Sequence, residues 1–186
     1  TQVGETATKY VIPAGEMGND TGKTIELIIP NDKNGIYGMY GQIDGGGKET
    51  WSKMEDSLLN NNEGAIAVKL SPASSITSAS GRAQTAEENM EILSYIGKIT
   101  GQKEAQVIGA SNGSLYALDV GAESASSSNK YGVTVTSVGW TDYANPENAD
   151  FITALEKMKK GNVELIGITD TDISENSGTG KAIAEY

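Results

Sequence analysis

Apolar residues fall into short runs near the N-terminus, and after Thr50 into an alternation of short runs with stretches of helical periodicity. "TKYVIP" (8–13), "KTIELIIP" (23–30) and "GIYGMYGQI" (35–43) are rich in Ile, Tyr and Val and bounded by Gly, Asn, Asp and Pro, which predicts three strands. "GNDTGK" and "NDKNG" between them have the composition of hairpin loops, so this end of the chain is predicted to be antiparallel.

From Thr50 the order predicted is helix, strand, helix, strand, which implies crossover connections and a mainly parallel sheet. "TWSKMEDSLLN" (50–60) carries Trp51, Met54 and Leu58 at helical spacing, and "GAIAVKL" (64–70) suits a strand buried on both faces. "SPASSITSASGR" (71–82) reads as a polar loop. "TAEENMEILSYIGKIT" (85–100) opens with Thr85 and Glu88 in capping-box spacing and lines Ala86, Met90, Leu93 and Ile96 along one face. "EAQVIGA" (104–110) and "YGVTVTSVGW" (131–140) are predicted strands flanking the helix "NGSLYALDVGAES" (112–124). A further helix is bounded by Asn145 and Pro146 at its start and Gly161 at its end. "NVELIGIT" (162–169) reads as a buried strand, and "ENSGTGKAIAEY" (175–186) as the start of one more helix.

Composition narrows the function classes. The chain has 186 residues, of which 37% are hydrophobic and 21% charged, enough for one domain spanning 1–186 with a real core. A formal net charge of -11 leaves no broad basic surface for nucleic acid or anionic membranes. No apolar run reaches the roughly 20 residues that a membrane span needs. Zero cysteines exclude disulfides and thiolate chemistry, and zero histidines remove the commonest metal ligand and general base. No cofactor is expected. "DTGKT" lacks the first glycine of a phosphate loop, since Met17 stands there, and a strand follows it. "DTDISEN" puts Asp170 and Asp172 at calcium-loop spacing, but Glu175 and Lys181 stand where its glycine and bidentate glutamate belong.

One stretch carries chemistry. "VIGASNGSLYALDV" sets Ser111 inside Gly109-Ala110-Ser111-Asn112-Gly113, between a predicted strand and a predicted helix. A serine nucleophile on a sharp strand-to-helix turn needs small flanking residues, because the turn brings neighbouring backbone too close for larger ones. The alternative is a plain glycine-shaped turn with Ser111 as a helix cap. A second stretch, Asp44-Gly45-Gly46-Gly47 at the end of the third strand, can present backbone N–H groups to a developing oxyanion, as can the amide of Asn112. It also reads as an ordinary flexible turn.

Together, the element order, the glycine loop and "GASNG" resemble the α/β-hydrolase superfamily, of the esterase and lipase kind. That resemblance implies a three-layer α/β fold: a mainly parallel central sheet with antiparallel N-terminal strands and helices on both faces. It implies a serine hydrolase acting on a small-molecule carboxylic ester through an acyl-enzyme, with Ser111 as nucleophile and Asn112, Gly45 and Gly46 as the oxyanion hole. Relatives commonly carry histidine where this chain has Asp44. The acid of the triad would be Asp170 in "LIGITDTDIS", with Asp172 and Asp142 as alternates. The few residues between Trp140 and Pro146 leave no room for the long cap of some relatives, which implies an open site.

The family's histidine would lie beyond Tyr186, so the natural product is expected to be longer and the domain incomplete at its C-terminus. Without further chain or a partner, "NVELIGIT" would be a hydrophobic sheet edge. An alcohol needs a base with a pKa near the working pH, and ordinary carboxylates titrate near 4. The missing histidine therefore also favours a second reading, a non-catalytic α/β-hydrolase-like binding or surface domain of a larger protein. The composition suits a secreted or cell-surface protein, with the cytoplasm as the other location.

Overall fold

The topology follows from the one strand, Gly38–Ile43, that is buried where a hairpin is predicted. The computed structural model describes residues 1–45, 49–74, 78–126, 131–138, 149–168 and 186, with the side chains of 149–151 outside that description. Strands β1 (Gln2–Val3), β2 (Ala7–Ile12), β3 (Ile25–Pro30), β4 (Gly38–Ile43), β5 (Ala65–Lys69), β6 (Glu104–Ala110), β7 (Gly132–Val138) and β8 (Leu165–Ile168) form one eight-stranded sheet. Its order is β1-β2-β3-β5-β4-β6-β7-β8. The first three strands and the β3–β5 pair are antiparallel, and the remaining pairs are parallel.

The predicted hairpin between the second and third long strands does not form. "NDKNG" holds a short 3₁₀ turn, Lys33–Gly35, in which the Asp32 carboxylate accepts the Asn34 N–H. The chain then passes β5 and enters the sheet as β4, parallel to both β5 and β6. The reason lies in β4 itself. Met39, Gly41, Gln42 and Ile43 are buried, a two-sided burial that an edge or hairpin position cannot supply. At Gly41 the approach is so close that a Cβ would stand 2.6 Å from Leu70 Cδ1.

Four helices cover the sheet. Helix α1 (Thr50–Asn60) lies on one face, where Trp51 and Leu59 pack with Ala7, Ile28 and Ala67. Helices α2 (Ala79–Thr100), α3 (Asn112–Ser126) and α4 (Ala149–Lys160) cover the other. There the main core joins Leu27, Ile66, Val68, Val107 and Val135 of the strands to Met90, Leu93, Ile96, Leu115, Leu118 and Met158 of the helices.

Helix α2 starts six residues before the predicted Thr85. Ser78 caps it, accepting from the Gly81 N–H at 3.1 Å. Thr85 Oγ1 instead donates back to the Gly81 carbonyl, and Glu88 pairs with Lys23 across to the β2–β3 loop. The extra turn is held by a buried pair: Arg82 of α2 binds Asp119 of α3 through two hydrogen bonds, Nε to Oδ2 at 2.9 Å and a terminal nitrogen to Oδ1 at 2.8 Å. Helix α4 ends at Lys160, before Gly161 as expected, while Asn145 and Pro146 lie outside the described residues. The last strand is not the buried strand its composition suggests but the sheet edge that is the other expectation for it. β8 pairs only with β7 among the described strands, where it is an edge, and Ile166 and Ile168 are 44% and 50% exposed.

Candidate active site

The winding of the sheet creates the site. From β4 the chain crosses one way through α1 to β5, then back over β4 through α2 to β6. The C-terminal ends of β4 and β6 are therefore neighbours at a reversal of winding, where open α/β sheets leave a crevice. Ile43 is in register with Gly109, so the residues that follow, Asp44-Gly45 and Ala110-Ser111, leave the sheet side by side.

Ser111 is the single residue between β6 and α3. Its φ of +55° is left-handed, a region that non-glycine residues rarely occupy and that is enriched at functional sites. Three hydrogen bonds hold it there. Its N–H donates to the Val138 carbonyl at 3.0 Å, and its carbonyl accepts from the Ser114 N–H at 3.0 Å and the Ser114 hydroxyl at 2.6 Å. The buried Ser137 hydroxyl then donates to the Ser114 carbonyl at 3.2 Å. The result is an exposed serine on a turn anchored by the buried Gly109, Gly113 and Ser114.

The flanking glycines are dictated by contact. A Cβ at Gly109 would stand 2.0 Å from the Gly113 carbonyl oxygen, and one at Gly113 would stand 2.4 Å from the Ile43 carbonyl oxygen. The first turn of α3 is thus pressed onto β6 and β4 more closely than any side chain allows. Asn112 opens that helix, so its N–H has no acceptor within it and lies at the positive end of the helix dipole.

Gly45 completes the described part. A Cβ there would lie 3.4 Å from Ser111 Cβ and 3.5 Å from Asn112 N, so Gly45 lies beside the serine turn. The structure therefore brings Ser111, Asn112 and Gly45 together. Gly46, Asp142, Asp170 and Asp172 lie outside the described residues.

Asp44 turns inward. Its buried carboxylate accepts from Gln42 Nε2 at 2.9 Å and from the Trp51 N–H at 3.1 Å, and its carbonyl accepts from the Ala73 N–H at 2.9 Å. On the far side of Ala73, the fully buried Asn89 of α2 accepts from the Ser71 N–H at 2.8 Å and donates to its carbonyl at 3.3 Å. The bond from Trp51 to Asp44 escaped the sequence reading, because a carboxylate seven positions before a helical amide has no local signature.

Among the described residues no helix is long and apolar enough to cross a membrane, and no group of three His, Cys, Asp or Glu could hold a metal ion. A cleft of about 160 Å³ lies in the helical layer, lined by Arg82, Asp119, Thr153 and Lys157 among others, and Ser111 is not part of its wall.

No family model and no curated protein matches this chain in sequence. Solved structures do resemble its fold. The feruloyl esterase module from Clostridium thermocellum, a mutant complexed with sinapinate, superposes with a TM-score of 0.58 at 13% identity. That match covers 92% of this chain and 69% of the module. Esterase B from Lactobacillus rhamnosis, inhibited by a tributyrin phosphonate, gives 0.54 at 14% identity, covering 98% of this chain and 62% of its own. The architecture is that of an α/β-hydrolase. This chain has that fold, as its motif order implied, over a length well short of either full structure.

Proposed function

We propose that the chain carries the nucleophile and part of the oxyanion hole of a serine esterase. The observation that carries this reading is the left-handed, exposed Ser111 at the winding reversal, with Gly45 beside it. In this reading the Ser111 hydroxyl attacks the carbonyl of a carboxylic ester. The N–H groups of Asn112 and of Gly45 or Gly46 hold the negative charge as it develops, where fixed donors are worth most. Asp170, with Asp172 and Asp142 as alternates, would orient the base. The 186 residues contain no histidine, so the base comes from outside them. Both similar structures are named as esterases, which fits a small-molecule ester substrate.

Turnover of a short-chain aryl ester by the protein that carries this chain tests the reading. Ser111→Ala should lower kcat by about 10⁶-fold, since a triad without its nucleophile keeps only the rate from binding and oxyanion donors. The missing histidine favours the second reading, a hydrolase-like binding domain. An inactive parent protein that binds ester-like ligands without turning them over would establish it.

A further inference from the structure

The geometry points to Asp44 as a positioning residue for the oxyanion side of this site, a role that rests on the serine-esterase reading. Asp44 is the last residue before Gly45, which lies beside the serine turn: a Cβ added to it would stand 3.4 Å from Ser111 Cβ and 3.5 Å from Asn112 N. Its main chain and side chain tie that point to three elements at once. The carboxylate reaches back to Gln42 in β4 and forward to the Trp51 amide in the first turn of α1, pinning both ends of the connection. The carbonyl holds Ala73 in the β5–α2 connection. Gly45 is placed by this clamp and has no side chain of its own to hold it.

The clamp needs a carboxylate in particular. Two N–H donors meet its two oxygens, one from Gln42 and one from the Trp51 backbone. An amide at position 44 has one accepting oxygen and presents its NH₂ to the other donor. A buried donor facing a donor is unsatisfied, and the connection must shift to relieve it. Asp44 touches neither substrate nor nucleophile; it acts through Gly45. A shift of an ångström at such a point lowers turnover by about 10²-fold.

The experiment compares Asp44→Asn with the double variant Gln42→Glu/Asp44→Asn in the full-length protein. In the double variant the oxygen of the introduced amide accepts from Trp51 and its NH₂ donates to the introduced carboxylate at position 42, so every partner is restored with one bond reversed. Asp44→Asn should lower kcat by about 10²-fold with KM little changed, and the double variant should recover most of the loss. If Asp44→Asn does not fold, Gln42→Met tests the same clamp by removing one donor, and a fall in kcat of a few fold is expected. Unchanged kcat in folded Asp44→Asn, a double variant no better than the single, or unchanged kcat in Gln42→Met would each overturn the assignment. Ser111→Ala, run alongside, separates the two ideas. A parent protein that neither turns over ester nor depends on Ser111 sinks the esterase reading, and the role of Asp44 with it. A Ser111-dependent parent with a fully active Asp44→Asn variant sinks the role of Asp44 alone.

Discussion

Ser111 holds a conformation that costs a non-glycine residue about 1–2 kcal/mol, and its surroundings supply the bonds that keep it there. Replacing it by glycine should therefore stabilise the fold by about 1 kcal/mol in urea titration while removing the proposed nucleophile. A Ser111→Gly variant less stable than the parent would show that the turn is not strained. Gly113→Ala should act in the opposite direction, because its Cβ meets the backbone of β4 and not the end of a flexible side chain. The expected loss is about 3 kcal/mol, read from the same titration. Both residues were legible in "GASNG", whose spacing reflects contacts inside one strand-turn-helix unit. The inward turn of Asp44 was not, because its partner Trp51 becomes a neighbour only once α1 has packed on the sheet.

The elements divide along the same line. Helix α1 and strand β6 run over the predicted residues, and Ala86, Met90, Leu93 and Ile96 of α2 are all buried as their spacing implied. Local periodicity was sufficient for these. The start of α2 and the place of β4 were decided by tertiary contacts, Arg82 with Asp119 in one case and burial on both faces in the other. The Arg82–Asp119 pair joins α2 to the helix that presents Ser111, and its side chains are 9% and 10% exposed. Removing one partner of such a pair leaves the other charge buried, so Asp119→Ala should cost about 3 kcal/mol. Arg82→Met/Asp119→Leu should cost much less than the sum of the two single changes, and strict additivity in the cycle would contradict a direct coupling.

At the scale of the molecule, a reversal of winding places the serine turn and the glycine connection at adjacent strand ends, and the face of the sheet under α1 carries a separate network of charges. There Lys9, Glu26 and Lys69 of the strands meet Glu55 of α1 in a chain of ion pairs. Burial opposes the ionisation of Glu26, but the hydrogen bond from Lys69 and the charges of Lys69 and Lys9 outweigh it and hold its pKa below the ordinary 4.5. Lys9 is held above its ordinary 10.5 chiefly by its hydrogen bond to Glu55, against a smaller opposing effect of burial. Folding thus favours the ionised form of both groups. The contribution of Glu26 is present above pH 4.5 and is lost as pH falls through its lowered value; that of Lys9 is complete below pH 10.5 and is lost as pH rises through its raised value. The difference in Tm between the parent and Glu26→Gln should be largest near neutrality and shrink on acidification below pH 4.5. A difference independent of pH would mean that Glu26 acts by packing alone.

Covalent labelling reads out whether Ser111 is a nucleophile. Full-length protein treated with a fluorophosphonate and digested should yield one modified peptide, with the adduct on Ser111, and Ser111→Ala should yield none. Folded full-length protein that stays unmodified at Ser111 under conditions that label a known serine esterase would contradict the account.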